Sequence, residues 1–398
     1  MNYLVFVNRV QINSMRTFFA LFISFVVIFT PKIFVQGADL LADKVYVEKA
    51  AVLEVMNEDR TQIAGTDVVG IVQTLKIQII EGEEKGKILT IENDYNRYVV
   101  GDKLYLNYVV RAEDGFVTHT ITDSDRLPTL LFFTILFVIL VISVGGKQGL
   151  RGIVSLAGSL VLIIFVLLPA VLSGISPVLA SIVVSSLIII LGSYVTHGFN
   201  KTTSSAVAGM ILTVIITGIL AYLAVHFSKL TGFETDEAVY LNFNAKGHID
   251  IVGILLGGIM IGLLGVLYDV AIGQAIAVEE LHAIAPHISK VKIFKRAMRM
   301  GREHIGALVN TLAIAYVGAS LPLLLLFSNS GSSVLQLVNR EIFATEIIRT
   351  LIGSIGLVLA VPITTILAVI ILFKNENNID KNILNKETEN MEHFHHHH

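Results

Sequence analysis

From residue 127 onward the chain alternates between long apolar runs and short polar connections. The runs lie near 128–145, 152–172, 177–196, 205–227, 251–276, 304–327 and 347–373. Each approaches or exceeds the roughly 20 residues that a helix needs to cross the hydrocarbon core of a bilayer. The pattern predicts a seven-helix bundle over residues 127–373. An earlier apolar run, FFALFISFVVIF, follows Arg9 and Arg16. Residues 1–38 therefore read as a signal peptide or as a first transmembrane helix.

Residues 39–126 follow another period. VYVEKAAVLEV, TLKIQII, KILTIEN, KLYLNYVV and FVTHTI are short runs rich in β-branched residues, separated by the turn-like EGEEKGK, VVGDK and EDG. This predicts a small antiparallel β domain, an OB-like barrel. It lacks the basic and aromatic surface of a nucleic-acid binder.

Composition narrows the class further. Of 398 residues 54% are hydrophobic and 15% charged, and the mean hydropathy is +0.74. That is an α-helical polytopic membrane protein rather than a soluble domain. A net charge of −3 points to no nucleic-acid partner. The absence of cysteine excludes disulfides and thiol chemistry. No HExxH, GxSxG or GxxxxGK[ST] motif occurs, so neither an enzyme nor a cofactor is expected.

Charge also orients the spans. Loops 146–151, 197–204 and 277–303 hold Lys147 and Arg151, then Lys201, then Lys290, Lys292, Lys295, Arg296, Arg299 and Arg302. The alternate loops are poor in Lys and Arg. The positive-inside rule then puts the β domain outside the membrane and the 374–398 tail in the cytoplasm. Segment 282–301 is basic and amphipathic, as in a helix resting on anionic headgroups. Loop 331–346 is expected to hold an interfacial or re-entrant helix.

The candidate chemistry centres on GVLYDVAIGQAIAVEELH, residues 265–282. Gly258, Gly262, Gly265, Asp269, Gly273, Ile276 and Glu280 recur at steps of three or four and share one helix face. Small residues at that spacing admit a close neighbour, so Asp269 is expected to face the bundle interior. An ionised Asp at mid-span costs about 2.5–3.5 kcal/mol on insertion scales, so a partner, a cation or protonation must offset it. Asn310, two turns into the returning span, is the partner at similar depth. Asp269, Asn310 and Gln274 form the expected polar path or helix clasp. Glu279, Glu280, His282, Arg302 and His304 would line its cytoplasmic mouth. Glu346 and Arg349, spaced for an i,i+3 pair, would line an outer mouth or anchor Arg349 at the headgroups. A metal ligand set is not evident: Asp123 and Asp125 of DSDRLP supply too few oxygens for calcium and read as a helix cap. The tail HFHHHH is a tag remnant or a metal-binding tail.

The order of these segments, with THGFNKTT, GLLGVLYDVAIGQAIAVEEL, GREHIGALVNTLAIAYVGASLPLLLL and LIGSIGLVLAVPIT, resembles the YibE/F family of bacterial multi-pass membrane proteins over roughly residues 45–373. The resemblance implies the architecture and carries no substrate or reaction. Two functions follow as expectations. One is a permease-like protein moving a small solute or ion past Asp269 and Asn310. The other is a non-transporting envelope scaffold whose β domain binds a partner. The expected partners are the bilayer and either a second copy of the chain in a homo-oligomer or another membrane protein.

Overall fold

The computed structural model describes residues 44–62, 69–94, 96–111, 116–245, 247–286, 288–328, 331 and 333–373. The amino-terminal segment 1–38 and the tail 374–398 lie outside the described residues. The chain divides into two compact units that meet in sequence between Val144 and Gly145. Each is described by itself.

The first unit holds a five-stranded antiparallel sheet: β1 (Lys44–Gln62), β2 (Val69–Glu81), β3 (Ile88–Asn93), β4 (Lys103–Val110) and β5 (Val117–Ser124). The strand order is β3-β2-β1-β4-β5. Alternation places Ala50 and Val52 of β1, Leu75, Ile77 and Ile79 of β2, and Leu104 and Leu106 of β4 in one buried cluster with Tyr98. The end of that core is polar. Gln73 is fully buried and accepts from the Tyr98 backbone N–H at 2.8 Å, while its amide donates to Tyr98 O at 3.0 Å and Glu58 Oε2 at 2.9 Å. The expected OB-like barrel is not closed. The edge strands β3 and β5 come near one another, but no hydrogen-bonded ladder joins them among the described residues.

The DSDRLP junction caps the helix that follows. Asp125 accepts from the Leu127 N–H at 3.3 Å and pairs with Lys49 Nζ at 2.7 Å, and Arg126 pairs with Asp123 at 2.6 Å. That helix, α1 (Leu127–Leu162), continues through a π-helical turn (Ile163–Leu167) into α2 (Leu168–Leu172). Its apolar side chains from Leu127 to Val144 are mostly exposed. Gly146 breaks the helical geometry at φ 54°, ψ −135°, a conformation that glycine alone adopts without strain. The stretch from Leu127 to Leu172 has 46 residues, and the Gly146 break divides it into two parts that each approach or exceed the roughly 20 residues of a span.

The second unit packs α3 (Pro177–His197), α4 (Lys201–Phe227), a short α5 (Asp236–Asn244), α6 (Ile251–Ile284), α7 (Lys290–Ala319), α8 (Leu321–Ser328), α9 (Val334–Val338) and α10 (Glu341–Leu372). Starts are set by local capping. Asn200 accepts from Thr203 N at 2.6 Å, Thr235 from Ala238 N at 3.3 Å and Asp250 from Gly253 N at 2.9 Å. Helix α10 packs on α4, α6 and α7, and α6 also packs on α3 and α4. Met210, Met260, Leu263, Leu267, Leu357, Ala360 and Val361 fill the centre. Pro362 stands inside α10, which runs on to Leu372.

Among the described residues five helical stretches are long and apolar enough to cross a membrane, or six if α7 and α8 count as one span bent by 61°. The expected seven differ for two reasons. The runs 128–145 and 152–172 are joined through the Gly146 break. The run 304–327 is broken by the 61° bend between Ala319 and Leu321, and its first part belongs to the longer helix Lys290–Ala319 that begins in the basic segment. Its amphipathic first half buries Ile293, Ala297 and Gly301 at steps of four. The helix expected in loop 331–346 is α9, closed by a capping box between Ser333 and Gln336.

Close helix contact here comes from small residues rather than from polarity. A Cβ at Gly356 would meet Thr217 Oγ1 at 2.7 Å, and one at Gly209 would overlap Thr364. Backbones of α4 and α10 approach through these pairs. Ser185, Thr217 and Thr364 are buried with hydroxyls that have no partner among the described residues.

Candidate functional site

The glycine-and-Asp stripe of α6 faces outward. Gly258, Gly262, Gly265, Asp269, Gly273, Ile276 and Glu280 are all exposed, while Leu256, Met260, Leu263, Leu267, Gln274 and Val278 on the other side are buried. This corrects the expectation that Asp269 faces the bundle interior. A Cβ at Gly258, Gly265 or Gly273 would meet nothing within 4 Å. At Gly262 only the Tyr316 hydroxyl comes close, at 3.0 Å. The stripe is open space beside α7 rather than a packed seam.

Part of that space, beside Asp269 and Gly273, is a cleft of about 240 Å³. Asp269, Val270, Gly273, Gln274 and Ala277 of α6 line one wall, and Met300, His304 and Leu308 of α7 the other. Asp269 has no hydrogen-bond or ion-pair partner among the described residues. Beside it Tyr268 is held by donating its hydroxyl to Gly192 O at 3.0 Å. Asn310 is exposed and does not line the cleft; the polar residues that share the cleft wall with Asp269 are His304 and Gln274. His304 lies six residues, and so more than a turn and a half, closer to the start of α7 than Asn310.

Gln274 is the buried member, 3% exposed. Its Oε1 accepts from Thr365 Oγ1 at 3.0 Å, and its amide fills the space above Gly301, where a Cβ would come within 2.7 Å of Nε2. One amide thus ties α6, α7 and α10 together at the floor of the cleft.

Of the expected cytoplasmic-mouth residues, Glu279, Glu280 and Arg302 are exposed and are not part of the cleft wall. The His282 ring packs on Phe373 with centroids 4.1 Å apart. The pair Glu346 and Arg349 forms as its spacing predicts. A third member was not foreseen: Glu234, from the loop after α4, accepts from Arg349 Nη2 at 3.1 Å. Its other oxygen is buried and has no partner. Nearby, Glu341 at the start of α10 accepts from the backbone N–H groups of Thr231 at 2.5 Å and Gly232 at 2.9 Å. These contacts bridge more than a hundred residues of sequence. Glu234 stands in the acidic, polar stretch TGFETDE that leads from α4 into α5, where nothing in the sequence sets it apart from Asp236 and Glu237.

The second acidic cluster and the cleft lie at different levels. Arg349 is eight residues, about 12 Å, into α10, whereas Asp269 is eighteen residues, about 27 Å, into α6.

Residues 133–374 match the family described as YibE/F-like protein. That is more than half of the chain, and the chain belongs to this family. No curated protein and no solved structure matches it.

Proposed function

We propose that this YibE/F-like chain is a multi-pass permease of a bacterial plasma membrane, moving a small solute or ion along a polar path that includes the α6–α7 cleft. The observation that carries the reading is Asp269, a carboxylate without a partner on an open, glycine-lined face of an apolar helix. A charge there is costly in hydrocarbon. A transported cation or proton, met by Asp269 and His304 in a space of about 240 Å³, offsets that cost. The Glu234–Arg349–Glu346 cluster is the gate at the opposite end. In this reading α1 folds back at Gly146 to make two spans, the OB-like β unit faces outward and the basic loops face the cytoplasm. No catalytic group and no cofactor takes part.

Reconstituted chain in proteoliposomes tests this against a panel of protons, Na⁺, K⁺, Mg²⁺, Zn²⁺ and small organic ions. Asp269→Asn should abolish flux of the transported species, His304→Ala should reduce it, and Asn310→Ala, outside the cleft, should leave it intact. If no species moves, or Asp269→Asn changes none, the permease reading fails.

The scaffold reading draws on the apolar side chains that the β unit leaves exposed, Val45 and Val47 on β1 and Val99 and Val100 before β4, which an envelope protein partner would cover. It predicts that deleting 39–126 abolishes a cellular phenotype that Asp269→Asn leaves untouched.

A further inference from the structure

We propose a divalent metal site in the β unit, made by Glu48, Glu84 and His119, and taking a transition ion of the zinc class. A carboxylate oxygen of Glu48, one of Glu84 and a ring nitrogen of His119 all lie within 4.8 Å of one another. The proposal does not rest on transport.

Three separate strands of chain build the cluster. Glu48 lies on β1 in the inward register of Ala50 and Val52. His119 lies on β5 opposite Tyr108, whose ring stands 5.2 Å from the imidazole. Glu84 comes from the turn after β2. That turn is fitted to Glu48: Gly82 adopts φ 130°, and a Cβ there would come within 2.7 Å of Glu48 Cγ. The Glu84 N–H then donates to Glu48 Oε1 at 2.9 Å.

What points to a ligand is the other oxygen. Glu48 is 1% exposed, and its Oε2 has no partner. A buried carboxylate oxygen left unpaired is costly, and here a second carboxylate stands beside it. His119 Nε2 already sits 2.9 Å from Glu84 Oε2. Lys87 holds both Glu84 oxygens at 2.8 Å, but its side chain is 46% exposed and is free to swing into water.

Donor chemistry and spacing select the ion. One imidazole and two carboxylates suit zinc and its neighbours better than magnesium or calcium, which prefer all-oxygen shells. Zinc bonds of about 2.0–2.2 Å put tetrahedral ligand atoms about 3.3–3.6 Å apart, wider than the 2.9 Å between His119 Nε2 and Glu84 Oε2 and inside the 4.8 Å that contains all three atoms. Side-chain adjustments of an ångström or so suffice. A bound ion would join the turn before β3 to β5, and so fasten the two edges of the open sheet.

The histidine-rich tail is itself a zinc ligand, so the test uses the chain ending at Asn390. After stripping with chelator in detergent, Zn²⁺ is titrated against a chromogenic competitor. One Zn²⁺ per chain is expected, with affinity at least tenfold weaker in Glu48→Gln and in His119→Ala, and unchanged in Glu58→Gln. X-ray absorption should show nitrogen and oxygen neighbours and no sulfur. Independently of any variant, Zn²⁺ should slow hydrogen exchange in segments 82–87 and 117–124 of the unaltered sequence. No stoichiometric binding, binding indifferent to both substitutions, or no change in exchange at those segments would each overturn the site.

Discussion

Thr365 donates its hydroxyl to Gln274 Oε1 at 3.0 Å, joining α10 to α6 through two buried side chains. The same hydroxyl reaches Val361 O at 2.6 Å. Losing Gln274 therefore leaves Thr365 satisfied, whereas losing Thr365 strands the Gln274 oxygen.

That asymmetry makes a prediction. Thr365→Val should destabilise the purified chain by about 1–3 kcal/mol, the cost of an unsatisfied buried acceptor. Gln274→Leu should cost less. The coupling in a double-mutant cycle should be about 0.6–1.7 kcal/mol, the range for interhelical hydrogen bonds in membranes. Thermal unfolding of the four proteins in one detergent measures it, and zero coupling would mean the bond contributes nothing.

Glycines of similar sequence context should behave oppositely. Gly356→Val forces a side chain onto Thr217 and Leu263 and should cost about 1–3 kcal/mol by overpacking. Gly273→Val meets open space and should leave stability near that of the unaltered chain. It should nevertheless narrow the cleft beside Asp269 and reduce flux. A stability loss at Gly273 equal to that at Gly356 would show that another surface covers the stripe.

Arg349 is shared by two carboxylates. Arg349→Ala leaves Glu234 and Glu346 facing each other and should destabilise by about 3 kcal/mol, the low end for breaking a buried pair, because the three side chains keep between 13% and 25% exposure. Adding Glu234→Gln to Arg349→Ala should restore part of the loss. Arg349→Lys should rescue incompletely, since an ammonium lacks the planar fork that reaches both acids. Melting temperatures of the series decide it.

In the β unit, hydrogen bonds from Arg97 and then Gln73 hold the Glu58 carboxyl below its ordinary 4.5. A depressed folded-state value means stabilisation that is complete above about 4.5 and is lost as pH falls toward the folded-state value. Protection of the β1 and β2 amides, relative to the intrinsic exchange rate at each pH, should therefore fall on acidification below pH 4.5. In Glu58→Gln the fall should be weaker. Equal acid sensitivity in the two proteins would exclude this carboxylate as the cause.

Local rules accounted for much of the architecture. The period-two pattern of TLKIQII became β2 with Leu75, Ile77 and Ile79 inward. The i,i+3 pair of Glu346 and Arg349 formed within one helix turn. Asp125 capped the helix that LPTLL began. These outcomes depend on neighbours within a few residues, which any sequence displays.

The candidate site was legible in part. Asp269 and Gln274 were marked by being polar in an apolar run, and His304 by its place at the start of the returning helix. Their arrangement was not legible. Helix α6 is apolar around nearly its whole circumference, so polarity does not tell which face is buried. In lipid no hydrophobic effect sorts the faces; packing of small residues and hydrogen bonds does. The steps of three or four from Gly258 to Glu280 identified a single face correctly and left its direction undetermined.

By itself, then, the sequence determined the apolar helices, the strand runs, the caps and the identity of the polar residues within the helices. Tertiary structure decided that the glycine stripe opens beside α7, that Gln274 rather than Asn310 is the buried polar tie, and that Glu234 reaches Arg349. It also decided that Glu48, Glu84 and His119 meet. The reason is common to all four. Each depends on contacts between segments tens of residues apart, set by helix packing and strand register, and no period within one segment records them.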